Sequence, residues 1–231
     1  MMLALDTSAS PLLIALWDME RDSLAAELLL DNAKTHGSLL LPALQWLTSH
    51  WPDKKLRAVA VCVGPGSFTG LRVGVASAIG LAYAWNLPMI SLSSLELPAL
   101  SHGPVAGATV WVINDARQHM VYAAPFQWEG DKLLRLAPDG AASPERLRQL
   151  LAPPALLLGS GAALYGETLT GEGIILGNTD MTPRPGLLAR QAACYWREGV
   201  TVSPWQIKPN YCRPSDAEKR FTLPLEEYSL L

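Results

Sequence analysis

Residues 64–74, Gly-Pro-Gly-Ser-Phe-Thr-Gly-Leu-Arg-Val-Gly, form the strongest local signal in this chain. They lie between an apolar run and a segment with helical character. A glycine-rich turn from strand to helix can aim backbone N–H groups and the positive end of a helix at an anion. The two usual phosphate patterns are not met. A P-loop requires Gly-Lys-Ser/Thr, and here Leu71 follows Gly70; the dinucleotide fingerprint is GxGxxG, and here the spacing is GxGxxxG. A tight turn with Thr69 as helix cap explains the same residues without a ligand. Asp6-Thr7-Ser8 is the second cluster. A carboxylate and two hydroxyls at a strand end could hold a metal-bound phosphate, or make a turn through side-chain to backbone bonds, which is the favoured reading.

Other chemistry has little support. His36 would need a second ligand at i+4 to bind a metal from one helix face, and that position is Leu40. His50 and His102 stand in separate segments, so no metal is assigned. The chain has no GxSxG, HExxH or CxxC, so no nucleophile or zinc motif stands out. Cys62, Cys194 and Cys212 are odd in number and far apart, which fits reduced thiols in a cytosol.

A third feature is steric. Gly70, Gly74 and Ala78 recur every four residues and share one helix face, with Ser77 and Gly80 adding to its smallness. Glycine inside a helix costs roughly 0.8–1 kcal/mol against alanine. Close approach of a neighbour would offset that cost. The neighbour is either the chain's own sheet or a helix of another subunit, and sequence supports the two equally.

The elements that must position these residues follow from periodicity and breakers. Met2 to Leu5 and Leu12 to Trp17 read as a hairpin around a polar loop, with Ala26 to Leu30 as a third strand. Thr35 to His50 reads as a helix, with Leu40, Leu44 and Leu47 at i, i+4 and i+7 and Pro42 either in its first turns or kinking it. Leu56 to Val63 reads as a buried strand, and Thr69 to Trp85 as a helix with Pro88 beyond its end. A lobe boundary is placed near residue 105. The second lobe, 106–205, opens with strands Thr109 to Ile113 and Met120 to Trp128 around a turn at Asn114–Gln118. Ser143-Pro144 opens a helix, and the strand Ala155 to Leu158 ends in Gly159-Ser160-Gly161. Pro185 to Glu198 is the last helix, with Gly199 after it, and residues 206–231 form an extended tail. Both halves run hairpin, helix, strand, glycine turn, helix.

With 231 residues, 49% of them hydrophobic and 17% charged, the chain can bury a substantial core. Its longest apolar stretches fall short of the ~20 residues of a membrane span, and its start lacks a basic leader. A cytoplasmic protein is expected. The net charge of −3 is spread without a basic stripe. A protein that grips tRNA by itself would show such a stripe, so RNA chemistry here would work through another subunit.

Asp6-Thr7-Ser8, the run from Gly64 to Gly74, Asp115-Ala116-Arg117 with Tyr122, and Pro209-Asn210-Tyr211-Cys212-Arg213 occur in a fixed order that resembles the TsaB (YeaZ) family. The resemblance implies an α/β, two-lobed actin-like (ASKHA) ATPase fold, each lobe a mixed sheet flanked by helices. It implies a non-catalytic partner of TsaD, the subunit that transfers a threonylcarbamoyl group to adenosine 37 of tRNAs reading A-starting codons. TsaE, an ATPase, joins the pair, and a homodimer of the chain alone is a further expectation. TsaD-like proteins hold a metal with a helical His-x-x-x-His, whose matching pair here would be His36 and Leu40. The implied partner-binding set is His36, Leu40, Leu44, Leu47, Gly70, Gly74, Ser77 and Ala78. Asp6, Thr7 and Ser8 correspond to the first phosphate hairpin. Asp115 and Arg117 lie near the second phosphate segment, and Gly159 and Gly161 at the adenosine-side turn, in a degenerate nucleotide site. No cofactor is required by this chain, ATP binds at or near the complex interface, and tRNA is met only through the complex. The competing expectations are a small ATP-dependent phosphotransferase or acyltransferase and, more weakly, a peptidase.

Overall fold

A computed structural model describes residues 1–31, 36–50, 55–179 and 183–213. These divide into two compact units: Met1–Ser94 with Pro183–Asn210, and 95–179 with 211–213.

In the first unit, β1 (Met2–Asp6), β2 (Leu12–Asp18) and β3 (Ser23–Leu30) form an antiparallel meander. Helix α1 (His36–Ser49) leads to β4 (Ala58–Gly64), and α2 (Phe68–Ala84) leads to β5 (Met89–Ser93). The sheet order is β3-β2-β1-β4-β5, with β4 parallel to β1 and β5 parallel to β4. Strands β1 and β2 are buried along their whole length, because both faces of the sheet are covered. Leu40, Leu44 and Leu47 of α1 and Val75, Ala78 and Ala82 of α2 share one core with Leu3, Leu5, Leu12, Ile14, Val59 and Val61. Pro42 sits inside α1, in its second turn. Its pyrrolidine faces outward, being exposed. The cap of α2 is Ser67, whose hydroxyl accepts from the Gly70 N–H at 3.3 Å, and not Thr69 as the sequence suggests.

The second unit repeats this plan. Helix α3 (Glu96–His102) precedes β6 (Thr109–Asp115), β7 (Val121–Glu129), β8 (Lys132–Arg135) and β9 (Gly140–Ala142). Then come α4 (Pro144–Leu150), β10 (Ala155–Leu158), α5 (Ser160–Leu164), α6 (Gly166–Leu169) and β11 (Ile174–Leu176). The order β11-β10-β6-β7-β8 is the first sheet's order read backwards: three antiparallel strands, then two parallel ones. Ser143 caps α4 as expected, accepting from the Arg146 N–H at 3.3 Å.

The division differs from the expected one at two places. Helix α3 belongs to the second unit, since Leu95 and Ala99 pack with Val110, Val112 and Phe126. The last helix, α7 (Pro185–Arg197), returns to the first unit instead of closing the second. It packs on β1, β2 and β3, and Glu27 of β3 accepts from the Gly186 N–H at 2.9 Å, capping its start. Its buried Leu188, Ala189, Ala192 and Ala193 lie outside the core shared by α1 and α2. Alternation along the strands therefore places α7 on the opposite sheet face. Residues 214–231 of the expected tail lie outside the described residues; at its start, Pro204–Gln206 forms a 3-10 turn.

Candidate functional site

The three sequence features at 6–8, 64–74 and along α2 converge on one small volume in the first unit. β1 ends at Asp6, and Thr7 and Ser8 turn under the start of α2. Asp6, Thr7 and Ser8 are all buried. The Asp6 carboxylate accepts from the Ser8 N–H at 2.7 Å, the side-chain turn that aspartate favours. The Thr7 hydroxyl donates to the Gly70 carbonyl at 2.7 Å, and the Ser67 N–H donates to the Ser8 carbonyl at 2.6 Å.

The spacing of the glycines is explained by this contact. A Cβ on Gly70 would strike the Thr7 carbonyl oxygen and lie 3.3 Å from its carbonyl carbon. A Cβ on Gly74 would strike Thr7 Oγ1 and lie 3.0 Å from Thr7 Cβ and Cγ2. Gly66 meets Ser8 in the same way, 2.9 Å from its carbonyl carbon and Cβ. The helix thus rests directly on the backbone of the hairpin loop. Gly70, Gly74 and Ala78, expected in the partner-binding set, are buried by their own chain. Leu40, Leu44 and Leu47 are likewise core residues and face away from solvent. Ser77 is half-buried, and the His36 side chain lies outside the described residues. The physical reason is plain: periodicity says that residues share a face, and it is silent on what that face meets.

The same arrangement tests the fit of a nucleotide phosphate to Asp6, Thr7 and Ser8. The Ser8 N–H is spent on Asp6, the Thr7 hydroxyl on Gly70, and the Ser67 N–H at the start of α2 on Ser8. These groups, already spent on one another, do not fit a phosphate. Calorimetry of the isolated chain with ATP and magnesium is expected to show no saturable heat; a saturable isotherm lost in Asp6→Ala would overturn this reading.

The second unit carries the matching contact. A Cβ on Gly161 would lie 2.9 Å from the Asn114 carbonyl carbon, and Gly159 packs as tightly on Ile113 and Asn114. The Asp115 N–H donates to the Ser160 hydroxyl at 3.1 Å. Asp115 and Arg117 are both exposed, and the Asp115 carboxylate accepts from the Arg117 N–H at 2.9 Å. Arg117, Gln118 and His119 all have left-handed φ, between 53° and 60°. Arg213 braces that turn by donating to the Arg117 carbonyl at 3.3 Å. In the same Pro-x-Tyr-x-Arg element, the Asn210 N–H donates to the Val63 carbonyl at 2.7 Å. Within it, burial followed by the Asp139 carboxylate pushes the Cys212 thiol up to about 12, which disfavours its thiolate. Among the described residues, no three His, Cys, Asp or Glu side chains come together as a metal site.

Sequence reasoning missed the outward sides of α1 and α2. Leu41 is 58% exposed, Trp46 57% and Tyr83 63%. Gly80 is also exposed, with nothing within 4 Å of where a Cβ would stand. A signal was available. Both helices are apolar around most of their circumference, and such a helix is covered on more than one side. Arg72 is the one charged residue in α2, and its guanidinium lies over the Phe68 ring at 3.9 Å.

The repeated sheets and the two glycine-seated turns define an actin-like protein whose first hairpin serves as a packing element. The family model "TsaD: tRNA N6-adenosine threonylcarbamoyltransferase" matches residues 31–170. The chain is 30% identical over 228 residues to tRNA threonylcarbamoyladenosine biosynthesis protein TsaB of Bacillus subtilis, covering 95% of this chain and 96% of that one. It is 30% identical over 228 residues to the protein of the same name from Escherichia coli, covering 94% and 96%. The solved structure of YeaZ from Pseudomonas aeruginosa superposes with a TM-score of 0.78 at 26% identity, covering 91% of this chain and 98% of that one. This chain belongs to the TsaB family of tRNA threonylcarbamoyladenosine biosynthesis proteins, related in turn to TsaD.

Proposed function

We propose that this chain is a non-catalytic subunit for threonylcarbamoyladenosine formation at adenosine 37 of tRNAs reading A-starting codons, and that it docks on TsaD and works with TsaE in the cytoplasm. The observation that carries the reading is the set of large apolar side chains on the outer sides of α1 and α2, with Leu41, Trp46 and Tyr83 each more than half exposed. Isolated exposed apolar residues need no explanation, but three large ones on two neighbouring helices suit a protein partner. The TsaD family model spans both helices, so a TsaD chain would bring equivalent helices to the contact.

Docking of this kind would fix the orientation of TsaD's lobes and so form its cleft, while this chain supplies no reacting group. Leu40 supports the non-catalytic reading. It is a core residue in the apolar cluster, at the position where a helical two-histidine site needs its second ligand. ATP is assigned to the assembled complex, and tRNA is reached through the partner.

Reconstitution tests this reading. TsaD and TsaE with tRNA, threonylcarbamoyl-adenylate and ATP are expected to turn over repeatedly only when this chain is added. Equal multi-turnover product without it would refute the proposal.

A further inference from the structure

We infer that residues 211–213 form a strap that holds the turn at 117–119 in a strained, left-handed conformation, and that withdrawing the strap lets the turn change shape. Both segments belong to the second unit. Arg117, Gln118 and His119 have φ of 60°, 53° and 57°. Cβ crowds the backbone in this region, and residues other than glycine enter it singly, asparagine and aspartate most readily. Among the described residues, the other non-glycine residues found there are Asp22 and Asn86, each alone and each of a tolerant type. A run of three with no glycine, asparagine or aspartate in it persists only where its surroundings hold it.

The turn joins β6 to β7, whose last paired residues are Asp115 and Val121. Inside it, the Ala116 N–H donates to the Met120 carbonyl at 2.9 Å, and the Met120 N–H donates to the Arg117 carbonyl at 3.1 Å. The Asp115 carboxylate accepts from the Arg117 N–H at 2.9 Å, and His119 Nε2 lies 2.9 Å from the Glu145 carboxylate. The His119–Glu145 contact is more than half exposed on both sides, and water screens such a pair to a small contribution. Arg213 adds a contact of another kind. Its half-buried guanidinium donates to the Arg117 carbonyl at 3.3 Å, a charge-assisted bond delivered from 96 positions later in the chain.

The strap can bear on the turn because the residue before Arg213 is itself anchored. Cys212 is half-buried beside the Asp139 carboxylate and the Arg135 guanidinium. Arg135 pairs with Asp139 and, at 3.2 Å, with Glu96 of α3, and both carboxylate side chains are buried. The same guanidinium lies over the Phe126 ring of β7 at 4.8 Å. Arg213 therefore reaches the turn from a fixed base. The strain of three left-handed residues is of the same order as the few hydrogen bonds that oppose it. A balance so close is tipped by a single contact. With Arg213 in place the closed turn dominates, and without it open conformations gain population. The Asp115-Ala116-Arg117 motif and the Pro-x-Tyr-x-Arg element thus act as one device, and movement of residues 211–213 operates it.

Amide hydrogen exchange of the full-length chain tests this, read at Arg117 and Met120, whose N–H groups are bonded in the closed turn. Arg213→Ala is expected to speed exchange at both amides about 10-fold, the effect of losing one hydrogen bond, while the amides of β6 keep their parent rates. Arg213→Lys retains a charged donor and is expected to recover part of the difference. Gln118→Gly addresses the strain, since glycine adopts this φ without a steric cost. It is expected to raise the melting temperature by about 2 °C. Combined with Arg213→Ala, it should bring exchange back to within about 2-fold of the parent, a coupling that independent sites do not show. Parent-like exchange in Arg213→Ala would mean that the turn holds itself, and the strap would be refuted. A fall in melting temperature in Gln118→Gly, as glycine causes at an ordinary position, or a failure to rescue Arg213→Ala, would remove the strain and the device with it. Faster exchange along β6 as well as at the turn would make Arg213 a general stability contact, which also overturns the inference.

Discussion

Gly74→Val is expected to destabilise the first unit by about 3 kcal/mol or more, at the severe end of what single substitutions do. The new side chain must occupy the place of Thr7, which is 1% exposed and fixed by its hydrogen bond to the Gly70 carbonyl. Neither neighbour can yield cheaply. Thr7 directly follows β1, which is paired on both sides, with β2 and with β4. Moving α2 instead would pull Val75, Ala78 and Ala82 out of the shared core. Gly80→Ala is the control on the same helix. It meets open space, so it should gain the roughly 0.8–1 kcal/mol that alanine holds over glycine in a helix. Urea unfolding followed by tryptophan fluorescence reads both. A Gly74→Val midpoint equal to the parent's would remove the hairpin contact as the reason for the glycine.

Leu41→Asp is expected to lower affinity for TsaD by about 100-fold and to lower multi-turnover product in step. Two effects add: an apolar contact is lost, and a carboxylate is moved out of water into an uncharged interface without a partner, a cost of several kcal/mol. The isolated chain should keep its fold, since Leu41 is 58% exposed and lies off the buried Leu40, Leu44 and Leu47 stripe. Arg190→Asp on α7 makes the control. It is also exposed, but it sits on the opposite face of the sheet. Co-purification and titration calorimetry report binding, and the reconstituted reaction reports product. Wild-type affinity in Leu41→Asp would place the contact elsewhere on the chain. Loss of product with full affinity would mean that α1 acts after docking, in setting TsaD's cleft.

Much of the fold was readable along the chain. The hairpin, the strands at 155–158 and 174–176, the Ser143 cap and the glycine after α7 are local, and each is set by alternation or by a breaker at a fixed offset. Alternation cannot say where an amphipathic helix goes. α7 crosses back to β1–β3 because Glu27 and the second sheet face await it there, and those residues lie more than 150 positions earlier.

The candidate site shows the same limit more sharply. The sequence by itself determined that α2 carries helix-interior glycines at a conformational cost, and that something close must offset it. It also determined the membership of the family, through motifs whose order survives at 30% identity. Only the tertiary structure decided that the close neighbour of Gly70 and Gly74 is the chain's own Thr7, while Gly80 and the outer sides of α1 and α2 are left open. The reason is geometric. A helical repeat fixes which residues point the same way, but burial depends on which distant strand ends arrive beneath them, and that is settled only when the sheet closes.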